Sequence, residues 1–265
     1  MKDSLLADRL VEARRADMRL DEFPGDAPPE LVAAYRVQRL AIEQWDDRIA
    51  GWKVGLVPVS AGEPPGRFVG PVWSRSVAEQ STGAVPVTLF RGESFIEVEW
   101  IAELCGDIAP IPDPASPEWA RTLPVRWRLG VELCSSPIVG LRSHGAPAVC
   151  ADFGINSGLV LGPEREAAEI PHARVTVDVD GDEPVEGGVD RVPGGVHAAL
   201  AFAVSTLSAR GEPLRAGLLI ATGALTGAHQ VREGSLVTVT EGAHTLEVAI
   251  AIGGGGARAR RIESV

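Results

Sequence analysis

The spacing of apolar residues predicts helices at the start of the chain. Apolar positions recur at helical intervals in a first helix over Ser4–Asp17 and in a second over about Pro29–Trp45. Pro29 suits the first turn of a helix, because the backbone N–H that proline lacks would be unbonded there anyway. The Pro/Gly-rich link Phe23–Pro29 separates the two helices. The pattern therefore predicts a helical N-terminal segment over residues 1–50.

After residue 50, short apolar stretches bounded by turn residues predict a β-rich domain over residues 51–265. Val57–Gly70 is rich in proline and glycine and predicts a loop over the functional site. One more helix is predicted over Gly194–Arg210, and a helical turn within Pro110–Arg121. The predicted fold class is α+β. The predicted strands are Gly83–Leu89, Ser94–Leu104, Arg126–Leu133, Ser157–Leu161, Arg174–Val179, Gly217–Thr222, Ser235–Thr240 and His244–Ile252.

The stretch Ser94–Glu103 places two acidic residues on one side of a predicted strand. Ile96 and Val98 share one parity, and Glu97 and Glu99 share the other. Because residues two apart in a strand point to the same face, the two carboxylates stand side by side, opposite a buried face.

The repulsion between these carboxylates can be relieved by water, by a shared proton or by a hard divalent cation. Glu132 favours the cation, because it lies within the apolar run Leu129–Leu133, where an acid needs a partner or a change of protonation. A solvent-exposed strand face is the alternative that the spacing leaves open.

Lys53 is unusual in a chain that otherwise relies on arginine. Of the 25 Lys and Arg residues, only Lys2 and Lys53 are lysines. Lys53 lies among glycines and large apolar residues in Ile49–Leu56, which predicts a buried or half-buried strand. A desolvated lysine can titrate, whereas arginine stays protonated at any relevant pH. Lys53 is therefore a candidate for proton transfer; the alternative is a lysine whose ammonium reaches solvent from a strand edge.

Charge and composition exclude several classes of function. The net charge of −11 argues against a nucleic-acid surface and against polybasic attachment to a membrane. No apolar run approaches the roughly 20 residues of a membrane span, and Met1–Leu20 lacks a signal-peptide core, so a cytoplasmic protein is expected. Cys105, Cys134 and Cys150 are odd in number and lack paired-ligand spacing, which favours reduced, mostly buried thiols over disulfides or a zinc site.

Several short motifs occur in order along the chain: Ala34–Gln38, Gly51–Leu56, Glu97–Glu99, Val131–Glu132, Ala151–Asp152, Ser157–Gly162 and Thr222–Gly223. Together they resemble the family of 2-keto-4-pentenoate hydratases and 4-oxalocrotonate decarboxylases, within the wider fumarylacetoacetate hydrolase fold. The resemblance is collinear over nearly the whole chain. Each motif alone is weak, whereas their combined order and spacing are specific.

The resemblance implies a mixed β-sandwich-like roll with a helical N-terminal segment. It implies that Mg²⁺ or Mn²⁺ binds through the positions occupied here by Glu97, Glu99 and Glu132. It also implies that Lys53 takes part in proton transfer. The family favours a homo-oligomer and allows a complex with an enzyme of the same pathway.

The chain departs from the family near the predicted substrate contacts. Arg67 stands near a position where the family usually has an acid, and it could bind a substrate carboxylate or point outward. Ser135–Pro137 replaces an Asp-Ser-Arg element of the family. Asn156 and Ser157 are the candidates for a polar contact to substrate. Thr222 could meet a substrate carboxylate at a strand end, or be an ordinary strand-end threonine.

The resemblance implies a metal-dependent lyase, namely a hydratase that adds water to a 2-hydroxydienoate or 2-keto-enoate small acid, in aromatic-compound breakdown or a related biosynthetic route. The nearest alternative is decarboxylation of a 2-keto diacid, which needs a second anion site; Arg67 and Arg142 are the candidates. Hydrolysis of an acylpyruvate comes third, because no His–Glu pair clearly supplies a base. A non-catalytic partner subunit that keeps the fold is the remaining alternative, and the clustered carboxylates oppose it.

Overall fold

The structure, a computed structural model, describes residues 1–58, 66–112, 114–166 and 170–253. It opens with two long helices, α1 (Lys2–Ala16) and α2 (Leu31–Gln44). Both predicted helices are confirmed, and each end lies within about two residues of its predicted position, the usual spread between ways of assigning helix ends. Helix α1 ends where Asp17 adopts a left-handed conformation with φ 47°.

Short strands and helices make up the rest of the described chain. In order they are β1 (Ile49–Val57), β2 (Gly66–Trp73), β3 (Val77–Glu79), β4 (Val85–Leu89), β5 (Glu93–Leu104), α3 (Pro117–Ala120), β6 (Val125–Ser136), α4 (Ala146–Ala151), β7 (Asn156–Arg165), β8 (Arg174–Val179), β9 (Val185–Gly188), α5 (Val196–Ala209), β10 (Leu219–Gln230), β11 (Leu236–Glu241) and β12 (His244–Ile252).

The strands form two sheets of mixed direction. The larger sheet has the order β2-β1-β10-β5-β6-β7-β3, and the smaller has the order β4-β12-β11-β8-β9. Most neighbours are antiparallel, but β1 runs parallel to β10, β3 to β7 and β4 to β12. The predicted α+β class and mixed roll are therefore confirmed.

The two faces of the larger sheet pack against different layers. One face carries Trp52, Val98 and Val131, which share a hydrophobic core with residues of the smaller sheet and of α5. Residues on or beside the opposite face, including Phe68 and Phe153, pack in a second core with α1, α2 and α4. The larger sheet is thus covered on both sides, and polar groups on its second face are removed from solvent.

Some sequence predictions in this region were wrong. Val57–Gly70 was expected to be a loop, but Val57 ends β1 and Gly66–Gly70 belong to β2; residues 59–65 lie outside the described chain. Strand β10 continues past its predicted end at Thr222 to Gln230. It can do so because register shifts with β5 accommodate Gly223 and Gly227, whose φ angles are 113° and 89°. Strands β3 and β9 and helix α4 were not predicted.

The division into a helical segment, residues 1–50, and a β-rich domain, residues 51–265, stays a prediction. Helices α1 and α2 share one hydrophobic core with residues of the larger sheet. Within the described residues, none of the helices combines the length and the apolar character needed to cross a membrane.

Arg14 of α1 forms a buried ion pair with Asp152, which follows α4, and also bonds to two strands of the larger sheet. Its Nε lies 2.5 Å from Asp152 Oδ1, and its Nη2 lies 2.9 Å from Asp152 Oδ2. Its Nη1 donates to the backbone carbonyl of Asn156 at 3.0 Å, and its Nη2 donates to the backbone carbonyl of Ser135 at 3.3 Å. Only 2% of Arg14 is exposed. Asp152 therefore acts as the buried counter-ion of Arg14.

Replacing Arg14 should destabilise the whole fold. Arg14→Met leaves the Asp152 carboxylate buried without its counter-ion, so the free energy of unfolding should fall by about 3–5 kcal/mol. Urea denaturation measures the change. Arg39→Met is the matched control, because the exposed Arg39–Glu43 pair should contribute less than about 1 kcal/mol. Equal effects of the two substitutions would contradict the structural role of the buried pair.

Candidate metal centre

Two glutamates face each other across the centre of the larger sheet. Glu97 of β5 is paired directly with Glu132 of β6. Residues opposite one another in an antiparallel pair share a face, so the two carboxylates project to the same side. Glu99, two residues along β5, projects there as well and is paired with Gly130, which has no side chain to occupy the space opposite.

These carboxylates are not on a solvent-exposed strand face. Glu99 and Glu132 are fully buried, and Glu97 is partly buried. On the other parity of β5, Ile96 and Val98 are also fully buried, as predicted. The alternative of water-relieved repulsion is therefore excluded for Glu99 and Glu132, which leaves a shared proton, an ammonium or a cation to offset their charge.

Lys53 provides one positive charge inside the cluster. It is 4% exposed, and its Nζ lies 3.1 Å from Glu132 Oε1. Gly154 makes room for its side chain, because a Cβ there would lie 3.1 Å from Lys53 Cδ. Gly70, opposite Lys53 in β2, lets the backbone of Phe153 come close, because a Cβ there would lie 2.5 Å from the Phe153 carbonyl oxygen. The expected buried strand lysine is thus present, and its ammonium does not reach solvent.

Burial and charge act in opposite directions on Lys53. Burial lowers the pKa of the amine, but the negative charge of Glu132, and that of Cys134 and the other two glutamates when they are ionised, raises it. The net effect is a pKa above the ordinary lysine value. Without a bound cation, Lys53 is therefore held as an ammonium.

The acids are shifted towards their neutral forms. Burial, followed by the charges of Glu132 and Glu97, raises the pKa of Glu99 well above its ordinary value. Burial also raises the pKa of Glu97, although Lys53 opposes this shift. One lysine does not offset three neighbouring carboxylates, so the cluster retains an excess of negative charge or of protons.

Backbone and side-chain amides orient individual carboxylate oxygens. The backbone N–H of Gly223 donates to Glu99 Oε2 at 2.7 Å, from the irregular segment of β10. Asn156 Nδ2 donates to Glu132 Oε1 at 2.9 Å, so this oxygen has both Lys53 and Asn156 as partners. The backbone carbonyl of Asn156 in turn accepts a hydrogen bond from Arg14. The Glu132 carboxylate is therefore positioned by groups from three parts of the chain.

The oxygens that remain suit a hard divalent cation. Glu99 Oε1, Glu132 Oε2 and Asn156 Oδ1 are buried without a hydrogen-bond partner. Unpaired buried oxygens are costly, and an oxygen-seeking cation such as Mg²⁺ or Mn²⁺ would satisfy the two carboxylate oxygens. Glu97, Glu132 and Cys134 also offer ligand atoms that all lie within 4.8 Å of one another. The donors thus fit a divalent metal. Glu99 stays a predicted ligand beside this group.

Other predicted site residues have different partners. Ser157 Oγ donates to the Leu133 carbonyl at 2.9 Å, and Thr222 Oγ1 donates to the Trp100 carbonyl at 2.7 Å. Arg67 is paired with Leu56, three residues from Lys53, so it projects from the opposite face, where it donates to the Pro193 carbonyl. Of the four predicted substrate contacts, the structure brings only Asn156 into contact with the carboxylate cluster.

Arg142, in contrast, lies at one end of the carboxylate row. Its guanidinium is 3.6 Å from the centre of the Phe95 ring, and its Nε donates to Glu93 Oε1 at 2.8 Å. Glu93 and Phe95 precede Glu97 on the same face of β5, and the charge of Arg142 partly lowers the pKa of Glu97.

Cys134 is the group near the carboxylates that sequence reasoning missed. It follows Glu132 by two residues and therefore shares its face. Burial, with the charges of Glu132 and Glu97, raises the pKa of its thiol well above the ordinary value. The alternation Glu132-Leu133-Cys134 was present in the sequence, but the proximity to Glu97 depends on the pairing of β5 with β6.

Solved structures share this fold, whereas no protein-family model and no curated protein matches the sequence. The chain is similar to 4-oxalocrotonate decarboxylase from Pseudomonas putida G7 complexed with calcium and acetate, with a TM-score of 0.77 at 21% identity, over 94% of this chain and 97% of that chain. The same enzyme complexed with magnesium and adipate gives a TM-score of 0.76 at 20% identity, with the same coverage.

A second similarity is to fumarylpyruvate hydrolase from Pseudomonas aeruginosa in complex with Mn²⁺ and pyruvate. Its TM-score is 0.54 at 18% identity, over 78% of this chain and 91% of that chain. These similarities confirm that the chain has the predicted fold of the fumarylacetoacetate hydrolase type.

The raised pKa of Glu99 should make the stability of the cation-free protein depend on pH. Because Glu99 binds its proton more tightly in the folded chain, its contribution to stability is complete below pH 4.5 and is lost as the pH rises through the raised value. The free energy of unfolding, measured in urea with a chelator, should therefore fall less with rising pH in Glu99→Gln than in the original protein. Glu247→Gln, on the other sheet, is the control; an unchanged fall in Glu99→Gln would refute the burial argument.

Proposed function

We propose that the protein is a divalent-metal-dependent lyase that acts on a small 2-keto or 2-hydroxydienoic acid, and that it is a hydratase. The observation that carries the proposal is the buried cluster of Glu97, Glu99 and Glu132 around Lys53, with carboxylate oxygens left unpartnered. The neighbours in complex with magnesium and adipate, or with Mn²⁺ and pyruvate, support a metal and a small carboxylic acid.

The chain's own groups have distinct roles in this proposal. When bound, a divalent cation supplies Lewis-acid stabilisation of the negative charge that develops on a substrate oxygen. Glu97, Glu99 and Glu132 hold it. Lys53, protonated and shielded from solvent, donates a proton to the substrate carbon skeleton during tautomerisation, and in the reverse direction takes the proton back.

Asn156 links substrate positioning to the metal ligands. Its Nδ2 holds Glu132, whereas its Oδ1 has no partner and can accept a hydrogen bond from a substrate hydroxyl. The side chain is fully buried and its Nδ2 is bonded to Glu132, while the backbone carbonyl of Asn156 accepts a hydrogen bond from Arg14, so the amide keeps a fixed orientation. We therefore assign Asn156, among the predicted substrate contacts, the role of orienting the substrate.

Decarboxylation of a 2-keto diacid is the second candidate function, and Arg142 favours it. Of the two arginines considered for a second carboxylate, Arg67 projects from the far face of the sheet, whereas Arg142 lies beside Phe95 at the end of the carboxylate row. A guanidinium can bind a carboxylate through two parallel hydrogen bonds. Loss of carbon dioxide and tautomerisation both pass through an enolate, so one cluster can serve either reaction.

Turnover of 2-hydroxypenta-2,4-dienoate with Mg²⁺ or Mn²⁺ tests the choice between the two reactions. Loss of the conjugated chromophore, with a product heavier by one water, is expected of the hydratase. Carbon dioxide release from a 2-keto diacid would instead establish the decarboxylase.

Lys53→Met should lower kcat by about 10²–10⁴-fold, because it removes the proton donor. Lys2→Met, at the exposed N-terminus, is the control. Full turnover by Lys53→Met would remove the lysine from the mechanism.

Metal binding is tested apart from turnover. The double variant Glu97→Gln with Glu99→Gln should lose measurable Mg²⁺ and Mn²⁺ binding in calorimetry, since neutral amides are poor ligands for these ions. It should stay folded, because removing buried like charges relieves repulsion. Glu103→Gln, on the same face of β5 but paired with Arg126, should bind metal normally. Unfolding of the double variant would show that the acids are structural, and absence of binding in the original protein would favour a non-catalytic subunit.

A further inference from the structure

Cys134 is placed by two strand pairings beside the predicted metal ligands. In the larger sheet it is opposite Phe95 of β5 on one side and Asn156 of β7 on the other. Its Sγ lies within 4.8 Å of a carboxylate oxygen of both Glu97 and Glu132. The residue is 4% exposed, so its thiol is directed into the protein rather than into solvent.

The other two cysteines have different surroundings. Cys105 is exposed, and its Sγ lies 3.9 Å from the Glu103 carbonyl oxygen. Cys150 is buried, and its Sγ accepts a weak hydrogen bond from Gln38 Nε2 at 3.7 Å. Among the described residues, Cys134 is the cysteine that joins two glutamates in a group able to hold a metal ion.

A second observation points to a ligand at this place. Glu132 Oε2 is fully buried and has no hydrogen-bond partner, while Oε1 of the same carboxylate already contacts Lys53 and Asn156. The group that Cys134 joins therefore contains an oxygen whose desolvation is not offset within the protein. A cation shared by Glu132 and Cys134 would offset it.

We propose that Cys134 is a metal ligand, which makes this centre a site for thiophilic divalent cations such as Zn²⁺ and Cd²⁺. Carboxylate oxygens suit Mg²⁺ and Mn²⁺, whereas a thiolate favours softer ions. Glu97, Glu132 and Cys134 provide three protein donors, the number that zinc takes in sites that keep an open position. On binding, the S–H bond breaks, the proton passes to the buffer, and sulfur donates an electron pair to the ion without any change of oxidation state.

The inference rests on the proposed function, because it extends the metal centre assigned there. It adds a consequence that the carboxylates alone do not have: Zn²⁺ or Cd²⁺ displaces Mn²⁺ from the same ligands. A bond to the thiolate stabilises softer ions such as Zn²⁺ and Cd²⁺ much more than it stabilises Mn²⁺.

Cadmium titration provides a direct readout that does not depend on turnover. The protein is prepared as Cys105→Ser, so that the exposed thiol cannot bind the metal. One equivalent of Cd²⁺ should produce the ultraviolet charge-transfer band of a cadmium thiolate. The band should persist in Cys150→Ser, the buried control, and disappear in Cys134→Ser and in Cys134→Ala. Thermal unfolding of each variant shows that it is folded.

Displacement of Mn²⁺ is measured in the same proteins by the electron paramagnetic resonance signal of the free ion. Cys134→Ser should require at least about tenfold more Cd²⁺ to release Mn²⁺, because an altered ligand environment commonly changes metal affinity by 10–100-fold. A band that survives in both Cys134 variants, or Cd²⁺ binding without a band, would overturn the assignment of the thiol. If Mn²⁺ does not bind but the Cys134-dependent band appears, the proposed function fails and the thiol site stands.

Discussion

Burial of excess negative charge is the constraint on which the rest of the molecule depends. Glu99 and Glu132 are fully buried beside partly buried Glu97, and Lys53 places a positive charge against Glu132. Desolvation costs several kcal/mol for each ion unless a partner offsets it. The same charges favour a proton on Glu99 and on Lys53, so the cation-free cluster holds protons that a divalent ion would replace. The cluster stays away from water because packed layers cover both faces of the larger sheet.

Those layers act on individual atoms of the cluster. Arg14 reaches from the first helix to the Asn156 carbonyl, and the side chain of Asn156 reaches Glu132. Gly223 holds Glu99 from the neighbouring strand. Each contact comes from a different part of the chain, so the ligand geometry is a property of the assembled fold and not of one motif.

Sequence reasoning succeeded where period-two alternation was enough. It placed Glu97 and Glu99 on one face and recognised Lys53 as a buried lysine. It failed where the partner strand decides the outcome: Cys134 meets Glu97 only through the pairing of β5 with β6, and Arg14 meets Asp152 across 138 residues. For Arg67 the sequence left two alternatives open for a related reason, because its segment reads as a loop. Because Arg67 is part of β2, its side chain projects from the face of the sheet opposite to that of Lys53.

The direct pairing of Glu97 with Glu132 also constrains how the central strands can align during folding. A shift of one residue in the pairing of β5 with β6 would move every side chain of one strand to the opposite face of the sheet. The carboxylates of Glu97 and Glu99 would then enter the apolar layer occupied by Ile96 and Val98, at the cost of unpaired charge in a dry core. The acidic residues therefore penalise misaligned sheets as well as providing oxygens, and the alignment that avoids the penalty is the one that assembles the centre.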